Sequence, residues 1–268
     1  MPYAGFIQEV KAIAQRAGEA IMEIYNNEAD WQVTLKSDDS PLTQADLRAN
    51  TVIQQGLSAL TPEWPIISEE TAWADYAARS AYTHWWLVDP LDGTKEFIKR
   101  HGDFTVNIAL IEGHKPVLSV MYAPAIDQLY WAVRGQGSFT LAGGAEQRLE
   151  AAEFDPQQAG LRIVCSRSHL NPATQAYINL FENPQTVPVG SALKLSILAK
   201  GEAHIYPRLG PIHEWDIAAG HLILEEAGGS LFQADTGAPL RYNTELLKLP
   251  PFIAVGRALG PVPLNASL

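Results

Sequence analysis

The stretch Trp85-Trp86-Leu87-Val88-Asp89-Pro90-Leu91-Asp92-Gly93-Thr94-Lys95-Glu96-Phe97 governs the fold. It opens as an apolar, aromatic-rich run with the composition of a buried strand. Within a few residues it then delivers two carboxylates, a glycine, a threonine and a lysine. Proline has no N–H to give to a ladder, so the chain must turn near Pro90, with Asp89 at the strand's end and Asp92 beyond it. Both carboxylates can then face one point. Gly93 permits close backbone approach, and a short helix opening near Thr94 and running through Lys95-Glu96-Phe97 presents free N–H groups to an anion. A plain Asp-Gly turn, in which Asp92 bonds its own backbone, explains that dipeptide in isolation. It does not explain acids suited to a metal standing beside amides suited to a phosphate.

The same grammar recurs upstream. Pro65-Ile66-Ile67-Ser68-Glu69-Glu70 is a short apolar strand ending in acids; beside Asp89 in a sheet, Glu69 takes the place of a bridging metal ligand while one glutamate of the pair stays solvated. Thr43 followed three residues later by Asp46 has the form of a capping box that opens a helix to about Leu60. Asp46 therefore has a structural task, and it is also placed to project towards the metal cluster, with Lys36 reaching in from the preceding segment; the two roles are compatible. Lys99-Arg100-His101 reads as a surface basic patch with a phosphate-steering role. Downstream, Trp215-Asp216-Ile217-Ala218-Ala219-Gly220 runs into helical periodicity through Leu222, Ile223 and Ala227, ending at Gly228-Gly229. This puts Asp216 in the first turn of a buried helix, where the helix dipole also favours an acid. His213 is either structural or catalytic on this reading. The chain has no His-x-x-x-His or Cys-x-x-Cys pair, which argues against zinc.

The totals set the frame. With 268 residues, 47% of them hydrophobic, the chain can bury one large core or two closely packed ones. Residues 1–145 read as an α+β half: an amphipathic helix from Phe6 to Tyr25, the acidic strand ends, then an antiparallel meander over Phe104 to Ile111, Pro116 to Tyr122 and Gln128 to Val133. A boundary is expected near Gly143-Gly144. Residues 146–268 alternate strand and helix, giving an α/β half beside the first. No apolar run approaches the ~20 residues of a membrane span, and the first residues lack the form of a secretion signal, so the expected location is the cytoplasm, with peripheral attachment at the inner membrane as a variant. The single cysteine, Cys165, reads as a core residue. A formal charge of −11 argues against nucleic acid and anionic lipid as partners. If the substrate is a phosphate ester, cations held by the clustered carboxylates must offset that repulsion locally.

Taken together, Glu69-Glu70, Asp89-Pro90-Leu91-Asp92-Gly93-Thr94 and Trp215-Asp216-Ile217-Ala218-Ala219-Gly220 resemble the inositol monophosphatase superfamily of lithium-sensitive, magnesium-dependent phosphatases. Within it, Asp92-Gly93-Thr94-Lys95-Glu96-Phe97, Gly190-Ser191-Ala192-Leu193-Lys194 and Tyr206-Pro207-Arg208-Leu209 look like the CysQ-type 3′(2′),5′-bisphosphate nucleotidases. The resemblance implies a layered αβαβα sandwich of the inositol monophosphatase and fructose-1,6-bisphosphatase type, with the site between its halves. It implies one Mg²⁺ on Glu69, Asp89 and the Leu91 carbonyl, a second on Asp89, Asp92 and Asp216, and a third, weaker ion near Asp46, with Mn²⁺ as a substitute and Li⁺ as an inhibitor. Glu69 and the Thr94 hydroxyl would orient the attacking water, and the Gly93 and Thr94 amides would hold the phosphate. Lys95, Glu96, Ser191, Lys194 and Arg208 would serve a small phosphorylated nucleotide, with His169 lining its adenosine side. The implied reaction is hydrolysis of the 3′-phosphate of adenosine 3′,5′-bisphosphate, and of its 3′-phosphoadenylyl sulfate relative; an inositol or sugar phosphatase, or a non-catalytic nucleotide-binding protein, are the alternatives. One position departs from the pattern: His204 stands where an Asp is expected.

Overall fold

Alternation of side chains along the strand that carries Asp89 sorts the core into layers. The computed structural model describes residues 2–27, 31, 33–35, 41–166 and 171–264. Its helices are α1 (Ile7–Tyr25), α2 (Gln44–Leu60), α3 (Tyr76–Arg79), α4 (Thr94–Ile98), α5 (Pro172–Ile178), α6 (Leu193–Ala199) and α7 (Ala218–Glu226). The first sheet holds β1 (Ile66–Ser68), β2 (His84–Asp92), β3 (Thr105–Glu112), β4 (Lys115–Ala123), β5 (Gln128–Val133), β6 (Gly137–Ala142) and β7 (Ala145–Arg148), hydrogen-bonded in that order. β1 lies parallel to β2, and all later pairs are antiparallel. The second sheet holds β8 (Arg162–Ser166), β9 (Gln185–Val189), β10 (Ile205–Arg208), β11 (Ser230–Gln233) and β12 (Phe252–Val255), in the spatial order β9-β8-β10-β12-β11.

Successive strand residues face opposite ways, so Trp86 and Val88 of β2 pack with α1 and α2, whose stripe Val10, Ile13, Ala17 and Ile21 repeats every three to four residues. Trp85 and Leu87 point the other way, into a central layer built from Leu195 and Leu198 of α6 and Leu222 and Ile223 of α7. That layer also receives Val164, Tyr206 and Ala254 from the second sheet, whose alternate residues Ile163, Cys165, Ile205 and Ile253 face Tyr177 and Ile178 of α5. The stack is thus helix, sheet, helix, sheet, helix. Each fully buried Leu or Ile contributes about 1.5–3 kcal/mol relative to exposure, and the central layer joins both halves of the chain in one core. Among the described residues no helix is long and apolar enough to cross a membrane.

Two details differ from the sequence reading. The strand does not end at Asp89: pairing lapses after Asp89↔Asn107 and resumes at Asp92↔Thr105, so Pro90 and Leu91 form an irregularity inside an extended segment. The first sheet also runs past Gly143-Gly144, which turn between β6 and β7. The residues of β7 are all exposed and lack the apolar alternation that marks a strand in sequence.

His204, the departure noted above, serves packing. Its Nδ1 accepts the Arg162 N–H at 2.9 Å, and its ring lies 5.3 Å from that of Phe154. Burial, reinforced by the Arg162 guanidinium, lowers its pKa below the ordinary value. The folded state therefore takes up its proton less readily than the unfolded chain. This stability is complete above about pH 6.5 and is lost as pH falls through the lowered folded value. The wild type is expected to lose stability between pH 7 and pH 5 that His204→Gln does not, read from urea midpoints; equal losses in both proteins would sink this assignment.

Candidate active site

The parallel register of β1 on β2 sets Glu69 beside Asp89, and the Glu69 N–H donates to the Val88 carbonyl at 3.2 Å. Asp89 is 1% exposed, and its Oδ1 accepts the Leu91 N–H at 3.0 Å. Asp216 arrives from the other half of the chain. It lies in the turn before α7 rather than in the helix's first turn, because Ile217 and Ala218 both return their N–H groups to the Glu214 carbonyl and the regular helix begins only at Ala218. Ligand oxygens of Glu69, Asp89 and Asp216 all lie within 4.8 Å of one another. Burial, then the charges of Asp92 and Glu69, push the Asp216 carboxyl well above the usual range, against hydrogen bonds from His213 and Asp89. Charge repulsion among acids this close favours a compensating cation between them. The donor set is hard oxygen with no imidazole or thiolate, which fits Mg²⁺ or Mn²⁺.

Asp46 carries two tasks on one carboxylate. Oδ2 accepts the Thr43 N–H at 2.7 Å and the Thr43 hydroxyl at 2.6 Å, closing the capping box of α2. Oδ1 accepts the Thr94 hydroxyl at 3.2 Å. With its proton directed there, Thr94 Oγ keeps lone pairs for an incoming donor such as water. Gly93 precedes it at φ = +95°, and a Cβ at that position would stand 2.9 Å from the Asp103 carbonyl. Both the turn and the close approach therefore require glycine.

Beside the acids opens a cavity of about 150 Å³ lined by Asp92, Glu96, Ser191, Lys194, Arg208 and Asp216, among others. Lys194 Nζ donates to the Ser191 carbonyl at 2.6 Å. Its pKa is lowered, chiefly by burial, with the charge of Asp92 opposing. Arg208 donates one Nη2 proton to the Pro211 carbonyl at 2.8 Å, while its Nε is buried with no partner. Two cationic side chains and an unused donor line this wall, and they suit an anionic ligand.

Some of the expected residues are brought elsewhere. Lys95 is exposed and does not line the cavity, whereas Glu96 does; successive helical residues point about 100° apart, so the pair cannot both face it. Ser191, expected to meet a nucleotide, does line the cavity, and its hydroxyl donates to Asp92 Oδ2 at 2.5 Å. Ala192 N–H binds the same oxygen, so Asp92 is tied to the second half and stands outside the group of three acids. Arg100 is held over the Tyr25 ring, 4.7 Å from its centroid. His169 and Lys36 lie outside the described residues. Sequence reasoning overlooked Asp103, whose carboxylate accepts the Gly190 N–H at 3.1 Å, and the pair Thr105 and Asn107. Two polar residues alternating in the apolar run Phe104-Thr105-Val106-Asn107-Ile108 were the available signal.

A five-layer αβαβα stack with an acidic cluster and a basic-walled cavity between its halves defines a class of phosphatase-like proteins, and the family model for the inositol monophosphatase family matches residues 5–257. The chain belongs to this family. The 3′(2′),5′-bisphosphate nucleotidase CysQ of Salmonella typhimurium is 44% identical over 222 residues, covering 83% of this chain and 88% of that protein. CysQ of Escherichia coli K12 is 42% identical over 237 residues, covering 88% and 94%. Among solved structures, CysQ from Bacteroides thetaiotaomicron superposes with a TM-score of 0.81 at 39% identity, covering 93% of this chain and 97% of that one.

Proposed function

We propose that this protein hydrolyses the 3′-phosphate of adenosine 3′,5′-bisphosphate to AMP and phosphate in a Mg²⁺-dependent reaction, and takes 3′-phosphoadenylyl sulfate as a second substrate. The observation that carries the reading is the convergence of Glu69, Asp89 and Asp216 beside a cavity walled by Lys194 and Arg208. The relatives named as 3′(2′),5′-bisphosphate nucleotidases support the choice of substrate. Glu69, Asp89, Asp92, Asp216 and the Leu91 carbonyl would hold two Mg²⁺ ions, with Mn²⁺ able to substitute and Li⁺ inhibitory. When bound, such cations neutralise phosphoryl oxygens, acidify water and stabilise the leaving oxygen.

The chain's own groups supply the rest. Asp46 accepts the Thr94 hydroxyl's hydrogen bond, leaving Thr94 Oγ lone pairs to orient the attacking water; Glu69 would take the one proton that water gives up as the O–P bond forms, and the ribose 3′-oxygen would leave with a proton from solvent. The Gly93 and Thr94 amides would receive the phosphate. Lys194 and Arg208 would hold the second phosphate, which distinguishes a bisphosphate from a simple monoester. In the cell the reaction would clear a by-product of sulfate activation.

The test is phosphate release from adenosine 3′,5′-bisphosphate and from inositol 1-phosphate, side by side, with Mg²⁺, with EDTA and with added Li⁺. We expect a strong preference for the nucleotide, lost in EDTA and suppressed by Li⁺. Preference for the inositol ester would overturn the substrate assignment, and turnover of neither would overturn the enzymatic reading.

A further inference from the structure

Behind Asp92 lies a row of buried polar groups for which the proposed reaction has no assigned use. Thr105 is Asp92's partner across the ladder, and Asn107, two residues on and on the same face, is the partner of Asp89. Both are almost fully buried. Thr105 Oγ1 lies 3.0 Å from Ser191 Oγ and 3.1 Å from Asn107 Oδ1, and Ser191 Oγ lies 2.5 Å from Asp92 Oδ2. Ser191 holds φ = +50°, a left-handed conformation that a non-glycine residue adopts at a cost and keeps only when its surroundings fix it.

Counting protons orders this row. Asp92 accepts, so the Ser191 hydroxyl proton goes to it. The 3.0 Å contact between Ser191 and Thr105 then requires the Thr105 proton, or two sets of lone pairs would face each other. Thr105 consequently has no proton left for Asn107. With Oδ1 turned to Thr105, the Asn107 Nδ2 is buried with no partner. A half-turn of that amide satisfies the Thr105 contact: Nδ2 donates to Thr105 Oγ1, and the oxygen takes the unpaired place, which costs less for a carbonyl than for an N–H. The result is one direction of donation, Asn107 to Thr105 to Ser191 to Asp92.

We infer that Asn107, Thr105 and Ser191 form a directed donor relay that fixes the Asp92 carboxylate, making Thr105 and Asn107 positioning residues for cation binding at the site. The inference rests on the proposed reading of Asp92 as a cation ligand. An acid swinging freely loses rotational entropy on every binding event, whereas one held by a relay has lost it on folding. The relay also spans the two halves of the chain, since Ser191 follows β9 while Thr105 and Asn107 belong to β3.

Thr105→Val removes the hydroxyl at nearly constant shape, and Thr105→Ser keeps it. Mg²⁺ binding to the metal-free protein, followed by calorimetry, is compared with the Mg²⁺ concentration giving half-maximal phosphate release from adenosine 3′,5′-bisphosphate. Thr105→Val is expected to weaken Mg²⁺ about tenfold in both measurements, with Thr105→Ser within about twofold of wild type. Asn107→Asp, which places an acceptor where the relay needs a donor, provides a second variant with the same expected direction should Thr105→Val fold poorly. Wild-type Mg²⁺ affinity in both Thr105→Val and Asn107→Asp, or equal weakening in Thr105→Ser and Thr105→Val, would overturn the relay. A wild-type protein that neither binds Mg²⁺ nor releases phosphate would instead overturn the reading of the site beneath it.

Discussion

Asp89→Asn is expected to lower Mg²⁺-dependent phosphate release at least about a thousandfold, or about 4 kcal/mol of barrier, with the fold intact. Asp89 is the buried member of the acidic cluster, with a ligand oxygen within 4.8 Å of those of both Glu69 and Asp216. An amide keeps the side chain's shape, and its oxygen can still accept the Leu91 N–H that Asp89 Oδ1 accepts at 3.0 Å. What it removes is the negative charge, so the loss should appear in calorimetric Mg²⁺ binding as well as in turnover, with an unchanged circular dichroism spectrum. A variant that turned over at the wild-type rate with the same Mg²⁺ requirement would show that Asp89 is not a ligand.

Arg79→Met is expected to destabilise the protein by about 3–5 kcal/mol, the cost of removing a buried guanidinium's hydrogen bonds and leaving their acceptors unsatisfied. The Arg79 guanidinium donates to Asn243 Oδ1 at 2.7 Å, to the Thr244 carbonyl at 2.8 Å and to the Glu245 carbonyl. Across the same loop, the Glu214 carboxylate accepts the Asn243 and Thr244 N–H groups, both at 2.7 Å, and the Thr244 hydroxyl at 2.6 Å. Burial raises the Glu214 pKa, while these bonds and the Arg79 charge pull it back. Removing the Arg79 charge raises the Glu214 pKa further, so the variant should recover part of its lost stability as pH falls from 7 towards 5. Urea midpoints across that range read both effects. A loss under 1 kcal/mol, or one independent of pH, would show that Arg79 does not compensate Glu214. Because Glu214 immediately precedes Trp215 and Asp216, and α3 follows the Glu69 turn, this loop also ties together the two chain segments that supply the acids.

The elements of the sandwich were legible because each has a period, while their layering was implied by the family resemblance. Trp85 and Leu87 against Trp86 and Val88 announce a sheet buried on both faces, and α1 announces its stripe. The acids of the central stretch were legible for a similar reason: a run that must be buried, followed at once by Asp89 and Asp92, carries carboxylates into the core with it, although the strand itself runs on to Asp92. The second sheet's strand order was not legible, since β9-β8-β10-β12-β11 depends on which edges meet through the central helices.

The amino-acid sequence by itself determined that acids, a glycine-permitted turn and a capping box exist at fixed places along the chain, because local geometry depends on residues a few positions apart. It also determined the family, through motifs whose spacing is carried in the chain. Only the tertiary structure decided which of those acids meet. Asp89 and Asp216 are 127 positions apart, and their approach rests on α7 packing between the two sheets. Tertiary structure likewise made the Ser191 hydroxyl a partner of Asp92, and placed Thr105 and Asn107 behind it. A hydroxyl's partner is set by three-dimensional proximity and by the direction of its single proton, and neither is written in the spacing of residues along a chain.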